Sequence, residues 1–243
     1  MSEHSSSYQS KASTTRYTSD FSSPFPSHVE QQLHEVREYT IHQFENSRMM
    51  ISETQAKLLN QLIKLVHAKR VLEIGTYTGY SAIAQAAALP PNGKMITLDI
   101  NEATQAIARR YLEKAKLLDK VKLQLGPAAD SIRAMIDNKK TPAEKFDFIF
   151  MDADKDAYIT YYNLIMDHDL LSDDGLIVCD NVLRQGNVVR AAGYEEGTIT
   201  GRGPDAESHA KAVHEFNQHV AKDTRVQAVI LPLYDGMTLI RKA

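Results

Sequence analysis

From Arg70 onward, short apolar runs alternate with stretches of helical period, a pattern met by parallel strands joined through helices. The runs are Val71–Ile74, Met95–Ile100, Val121–Gly126, Phe146–Asp152 and Leu176–Asp180. Helices are expected between and after them at Ser81–Leu89, Glu102–Leu117, Asp130–Ile136, Tyr158–Leu171 and Ser208–Ala221. Val226–Leu233 and Met237–Lys242 flank Tyr234, Asp235 and Gly236, which reads as a hairpin that adds an antiparallel strand. The expected fold class is α/β and Rossmann-like, a mostly parallel sheet with helices on both faces.

Upstream, Leu33–Phe44 reads as a first helix, and Ser52 with Gln55 has capping-box spacing for a second. Ala56, Leu59, Leu62, Ile63 and Val66 then recur on one helical face. Residues 1–27 are rich in serine and threonine and read as a flexible tail, which leaves 28–243 as a single domain. The tail holds Lys11 and Arg16 but also Glu3 and Asp20, whereas a transit peptide is basic and nearly free of acids. The expected compartment is cytoplasmic, with a mitochondrial address as the alternative. The single Cys179 excludes an internal disulfide and suits reducing surroundings. A net charge of −3 gives no bulk attraction to nucleic acid or to an anionic membrane, and no apolar run approaches the length of a membrane span.

Acidic residues collect where the strands end: Glu73, Asp99, Asp152 and Asp180. In doubly wound sheets, ligands bind at those carboxyl ends, near the point where strand order reverses. Gly75 and Gly79 bracket the turn after the first strand, and Asp99 ends the second, where a carboxylate accepts ribose hydroxyls. Tyr77 stands where a dinucleotide fingerprint has glycine, which disfavours NAD. Acidic Glu73 suits a ligand that carries an ammonium and a sulfonium rather than phosphates.

Asp152 and Asp154 follow one buried strand, with Lys155 beside them, and Asp180 and Asn181 follow the next. Asp152, Asp180 and Asn181 offer hard oxygen ligands, which suit Mg²⁺, with Mn²⁺ or Ca²⁺ as alternatives, and suit structural zinc poorly. Asp154 and Asp156 read either as helix caps or as groups that support the ligands.

Taken together, VLEIGTYTGYSA, ITLDIN, Gly126–Ala128, FDFIFMDADKDAY, CDNVL and LPLYDGMTLIRK resemble the cation-dependent O-methyltransferases of the caffeoyl-CoA and catechol type. The resemblance runs from about Tyr17 to the end of the chain. It implies a seven-stranded class I methyltransferase sheet with its last strand antiparallel, and often a homodimer. It also implies that Glu73, Gly75, Tyr77, Ser81, Asp99, Ala128 and Asp152 lie at S-adenosylmethionine, and that Asp152, Asp180 and Asn181 hold the metal. Lys155 matches the general base of the catechol enzyme, with Asp152 beside it in the catalytic set. Where the plant caffeoyl-CoA enzymes read DNTLWNG this chain reads DNVLRQG, so Arg184 and Gln185 replace a tryptophan and a substrate-binding asparagine. Ile51 stands where those enzymes often have threonine, and their N-terminal lysine for the CoA ester has no clear counterpart. These departures favour a free catechol or polyphenol acceptor, such as a flavonoid or a caffeic acid derivative, over a caffeoyl-CoA ester. The rival readings are an NAD-dependent oxidoreductase, which Tyr77 disfavours, and a non-catalytic binding protein, which would not need the set Asp152, Lys155, Asp180 and Asn181.

Overall fold

The computed structural model describes residues 12–137, 145–200 and 205–243. One sheet holds β1 (Arg70–Ile74), β2 (Lys94–Asp99), β3 (Val121–Leu125), β4 (Phe146–Met151), β5 (Leu171–Asp180), β6 (Val226–Leu231) and β7 (Met237–Lys242). The spatial order is β3-β2-β1-β4-β5-β7-β6. Neighbours from β3 through β5 are parallel, and β7 runs antiparallel to both β5 and β6. The order reverses between β1 and β4, which puts the crevice of such a sheet at the carboxyl ends of these two strands. The helices are α1 (Ala12–Asp20), α2 (Ser27–Gln43), α3 (Glu53–Leu65), α4 (Tyr80–Ala86), α5 (Glu102–Lys114), α6 (Ala128–Asp137), α7 (Tyr158–Asp167), α8 (Asn187–Ala191) and α9 (Ala206–Lys222). Among the described residues, no helix is long and apolar enough to cross a membrane.

β1, β4 and the end of β5 are apolar on both faces because both faces are covered. Val71, Phe148, Phe150 and Val178 pack with Leu33, Leu59, Ile83 and Tyr111 on one side. Leu72, Ile74, Ile149, Met151 and Ile177 pack with Ile132, Tyr162, Ile165 and Phe216 on the other.

Three elements depart from the expectation. Asp173-Asp174-Gly175 carries turn composition, yet β5 runs through it. A bulge absorbs the extra residues, since Phe146 pairs with Leu171 while Phe148 pairs with Leu176. Consequently α7 ends at Asp167 rather than at Leu171. Asp169 takes a left-handed φ of 52°, and the Leu170 amide bonds the Ile165 carbonyl at 2.9 Å, a Schellman-type closure. Finally, Ala12–Asp20 is helical within the stretch whose composition suggests a flexible tail. Lys57 of α3 donates to the Ser19 carbonyl at 3.3 Å and docks the end of that helix. Residues 1–11 of the expected tail lie outside the described residues.

Glu73 sits on the same side of β1 as Val71, beneath α4, and is fully buried. Its two carboxyl oxygens accept from Gln85 Nε2 and Thr97 Oγ1, each at 2.5 Å, and the Ser81 hydroxyl also bonds it. The network joins β1, β2 and α4. Burial outweighs these bonds and pushes the carboxyl from 4.5 up to about 8. The folded protein therefore retains a proton that the unfolded chain releases. That stabilisation is complete below pH 4.5 and is lost as the pH rises through about 8. Glu73→Gln, which imitates the protonated form, should flatten the decline of Tm over this window. Thermal melts at half-unit pH steps check it: the two proteins should diverge by at most about 1.4 kcal/mol per pH unit, and parallel melts would show that Glu73 ionises normally.

Candidate active site

The turn after β1 is shaped by steric exclusion. Gly75 has φ +102°, and a Cβ there would lie 2.1 Å from the Asp152 carbonyl oxygen. Gly79 has φ +90°, and its Cβ would lie 2.8 Å from Ala108 Cα of α5. Only glycine lets the turn approach both neighbours, so the loop after β1 touches the loop after β4. The ladder continues past the strand ends, with Gly75 N–H bonding Leu98 O and Asp152 N–H bonding Ile74 O, both at 2.9 Å.

Asp99 closes the other side of this turn. Its Oδ2 accepts from the amides of Thr76 at 3.1 Å and Tyr77 at 2.6 Å, and its Oδ1 accepts from the Asn101 amide at 2.8 Å. A carboxylate has about four lone-pair positions, so Asp99 organises the turn and still retains acceptor capacity. Tyr77 has φ 48°, its ring meets Phe44 edge-on at 5.8 Å, and its hydroxyl is buried without a partner among the described residues. Ser81 lies in the first turn of α4. Ala128 opens α6, and the nearby Gly126 amide bonds the Asp99 carbonyl at 2.9 Å. Of the seven residues expected at the cofactor, six stand at the end of β2 or in the turns and helix starts that follow β1, β3 and β4. Glu73 lies beneath it as a buried acid whose oxygens are committed to Ser81, Thr97 and Gln85.

Asp152, Lys155, Asp180 and Asn181 converge at the ends of β4 and β5. Lys155 is only 7% exposed. Its Nζ donates to Asp152 Oδ1 at 2.9 Å, to the Tyr158 hydroxyl at 2.6 Å and to the Asp180 carbonyl at 3.4 Å. Fully buried Tyr158 bonds the carbonyls of Met151 and Asp180, each at 3.0 Å. Burial, reinforced by the Asp152 carboxylate, pushes Asp180 well above the usual carboxylate range. Asn181 follows in a left-handed conformation, φ 56°, and donates its amide to Asp180 Oδ1 at 2.8 Å.

Gln55 is a site residue that the sequence conceals. Its amide does bond Ser52 Oγ at 3.2 Å as the capping box requires. Its side chain does not reach back, however, and instead donates to Asp180 Oδ2 at 2.8 Å from a buried position. Asp235 is another, because it reads as a hairpin turn residue. Its carbonyl accepts from Leu183 N–H at 3.0 Å and its carboxylate from Gln185 N–H, so the hairpin tip holds the loop after Asn181. The two ambiguous acids also find partners: Tyr161 donates to Asp154 Oδ1 at 2.5 Å, and Asp156 lies 3.6 Å from His209 Nε2. Asp154 makes no capping bond through its side chain.

The donor set suits a hard divalent cation. Among the described residues, no three His, Cys, Asp or Glu side chains come together for a metal. The fit rests on two carboxylates and one amide, with the buried Asp180 carboxylate in need of a positive partner. Asp152, Asp180 and Asn181 would hold the ion.

The comparisons with known proteins agree with this geometry. The family model described as "O-methyltransferase" matches residues 24–243. Caffeoyl-CoA O-methyltransferase 5 of Nicotiana tabacum is 38% identical over 200 residues, covering 80% of this chain and 77% of its own. Caffeoyl-CoA O-methyltransferase 2 of Eucalyptus globulus is 39% identical over 194 residues, covering 80% and 75%. Among solved structures, the SAH-bound methyltransferase PaMTH1 of Podospora anserina superposes with a TM-score of 0.82 at 30% identity, over 95% of this chain and 94% of that one. An O-methyltransferase of Bacillus cereus in complex with SAH gives 0.77 at 31% identity, over 95% and 97%. With its sheet order, its glycine turn against the β4 loop and a family model spanning nearly its whole length, the chain belongs to the O-methyltransferase family, as an S-adenosylmethionine-dependent enzyme of the caffeoyl-CoA and catechol type.

Proposed function

We propose that the enzyme is cation-dependent and methylates one hydroxyl of a vicinal diol on a phenolic acceptor. The observation that carries this reading is the meeting of Asp152, Asp180 and Asn181 beside buried Lys155, at the strand ends next to the glycine turn. Gly75, Tyr77, Ser81, Ala128 and Asp152 would hold S-adenosylmethionine, and Asp99 would supply an acceptor for its ribose hydroxyls. Glu73 supports Ser81 from below.

A phenol has a pKa near 10, so a neutral acceptor is a weak nucleophile at pH 7. Mg²⁺ bound to both diol oxygens would stabilise the phenolate and fix its position. The chain's own residues do the rest. Gln55 orients Asp180, and Asp152 links the metal loop to the cofactor turn through Gly75. Lys155 lies beside the acceptor oxygen to take its proton. All three donor positions of its ammonium are committed in the structure, so this role requires it to shed a proton first. Holding both reactants in line supplies much of the remaining acceleration.

Two acceptor classes have support. The plant relatives are caffeoyl-CoA O-methyltransferases by name, which favours a CoA ester. Arg184 and Gln185 beside the ligand loop favour a free catechol, polyphenol or flavonoid.

Chelation with EDTA should abolish turnover, and Mg²⁺ or Mn²⁺ should restore it; full activity in EDTA would sink the metal assignment. A diol should far outperform its singly hydroxylated analogue, so caffeic acid should react while p-coumaric acid stays nearly inert under matched conditions, and equal rates would refute chelation. Gln55→Leu should raise the Mg²⁺ concentration for half-maximal activity by about tenfold or more, the usual effect of losing a group that orients a metal ligand. An unchanged Mg²⁺ midpoint in that titration would make Gln55 a packing residue only.

A further inference from the structure

We propose that Arg184, steadied by His209, forms a subsite for a carboxylate carried by the acceptor, so that the enzyme prefers a free catechol acid to its ester or thioester. The proposal rests on the diol reading above and names the class of diol.

Arg184 stands three residues beyond Asn181 with φ 48°, and Gln185 follows with φ 55°. Consecutive left-handed residues that are not glycine are strained, and they persist only where their surroundings impose them. Here the imposing contacts are visible. The amides on either side, those of Leu183 and Gln185, both bond Asp235, and a Cβ on Gly236 would lie 2.6 Å from the Leu183 nitrogen. The backbone that carries Arg184 is therefore clamped between the hairpin tip and the ligand loop.

The side chain is poised rather than consumed. Arg190 and Arg225 each pair with a carboxylate, Glu195 and Asp223. Among the described residues, Arg184 has no such ion pair. Its Nη2 lies 3.4 Å from His209 Nδ1, and the far ring nitrogen, Nε2, faces Asp156 at 3.6 Å. An Nε2–H directed at Asp156 leaves Nδ1 to accept from the guanidinium. That contact uses one edge of a five-donor fork and leaves donors for a bidentate carboxylate. The nearby Asp235 carboxylate accepts from the Gln185 amide and attracts the guanidinium without forming an ion pair with it. His209 faces Asp156, the residue after Lys155, so the Arg184–His209 pair stands beside the loop that carries the buried lysine.

Discrimination follows from charge. A free acid offers the fork an anion that can form a bidentate ion pair, whereas an ester or thioester at the same place offers a neutral carbonyl that accepts from the guanidinium without the ion pair. A CoA thioester brings anions only in its phosphates, far along its tail, and it lacks one where the free acid has its carboxylate.

The test measures kcat and KM for 3,4-dihydroxycinnamate, its methyl ester and caffeoyl-CoA, with wild type, Arg184→Met and Arg184→Lys, each checked for an intact melt. Wild type should favour the acid over the methyl ester by about tenfold or more in kcat/KM, a ratio of the size one charge-assisted bond gives. Arg184→Met should bring that ratio close to one, mainly through KM for the acid, and Arg184→Lys should retain part of it. A wild-type ratio near one, a ratio that survives in Arg184→Met, or a preference for caffeoyl-CoA over the acid would each overturn the subsite. Methylation of the uncharged ester by wild type keeps the diol reading standing whichever way Arg184 behaves. Failure of all three acceptors would sink that reading and the subsite with it.

Discussion

A buried ammonium holds the two catalytic strand ends in register. Lys155 is nearly sealed from water, and an ammonium placed there without partners would be very costly. Its protons go to the Asp152 carboxylate, the Tyr158 hydroxyl and the Asp180 carbonyl, so every part of the cluster is fixed by another. Tyr158 completes the set by bonding the carbonyls of Met151 on β4 and Asp180 on β5. Removal of one member of such a cluster leaves an uncompensated buried group, which is why its effects should not add independently. The same cluster sets the problem of catalysis, because Lys155 can serve as a base only after its hold on Asp152 relaxes.

The second constraint is steric. Gly75 lies so close to Asp152 that any side chain would collide with the backbone of the β4 loop. The turn after β1 and the loop that carries Asp152 thus lie in close contact at the switch point of the sheet. Alignment of donor and acceptor depends on distances of this order, so the turn contributes geometry as well as binding. Asp99 serves the same end. Because three backbone amides depend on it, its replacement by alanine would loosen the turn as well as remove the proposed ribose acceptor.

What the sequence discloses follows a physical division. The central strands are legible because their apolar runs are covered on both faces, the last two because of the turn residues between them, and Asp152, Lys155, Asp180 and Asn181 stand out because polar residues just past buried strands are conspicuous. Glu73 is equally conspicuous, but period-two alternation puts it under α4 with Val71 rather than at the strand tip, and burial then favours its protonated form. Gln55 and Asp235 are illegible for another reason. Each satisfies a local pattern, a capping box and a hairpin turn, and the long-range contact that gives it a second purpose exists only after folding. The Asp173–Gly175 bulge misleads through the same local logic, since turn composition also suits a distorted strand. Between Gln185 and Ala206, α8 and a pairing of Asn187 with Thr200 are described, while residues 201–204 lie outside the described residues.

Chemistry and acceptor choice therefore rest on different kinds of structure. The reacting groups stand at the ends of central parallel strands, where neighbours on both faces leave little room for change. Arg184 stands on a strained loop whose shape is dictated from outside, by the tip of an antiparallel hairpin at the edge of the sheet. Its side chain can vary without disturbing Asp180, because the clamp acts on the amides of Leu183 and Gln185 rather than on the guanidinium. A loop fixed by its backbone and free at its side chain suits a change of acceptor with little effect on the methyl-transfer machinery. Asp235 is the point where the two meet: one residue of the hairpin tip sets the path of the chain between Asn181, the proposed metal ligand, and Arg184, the proposed acceptor contact.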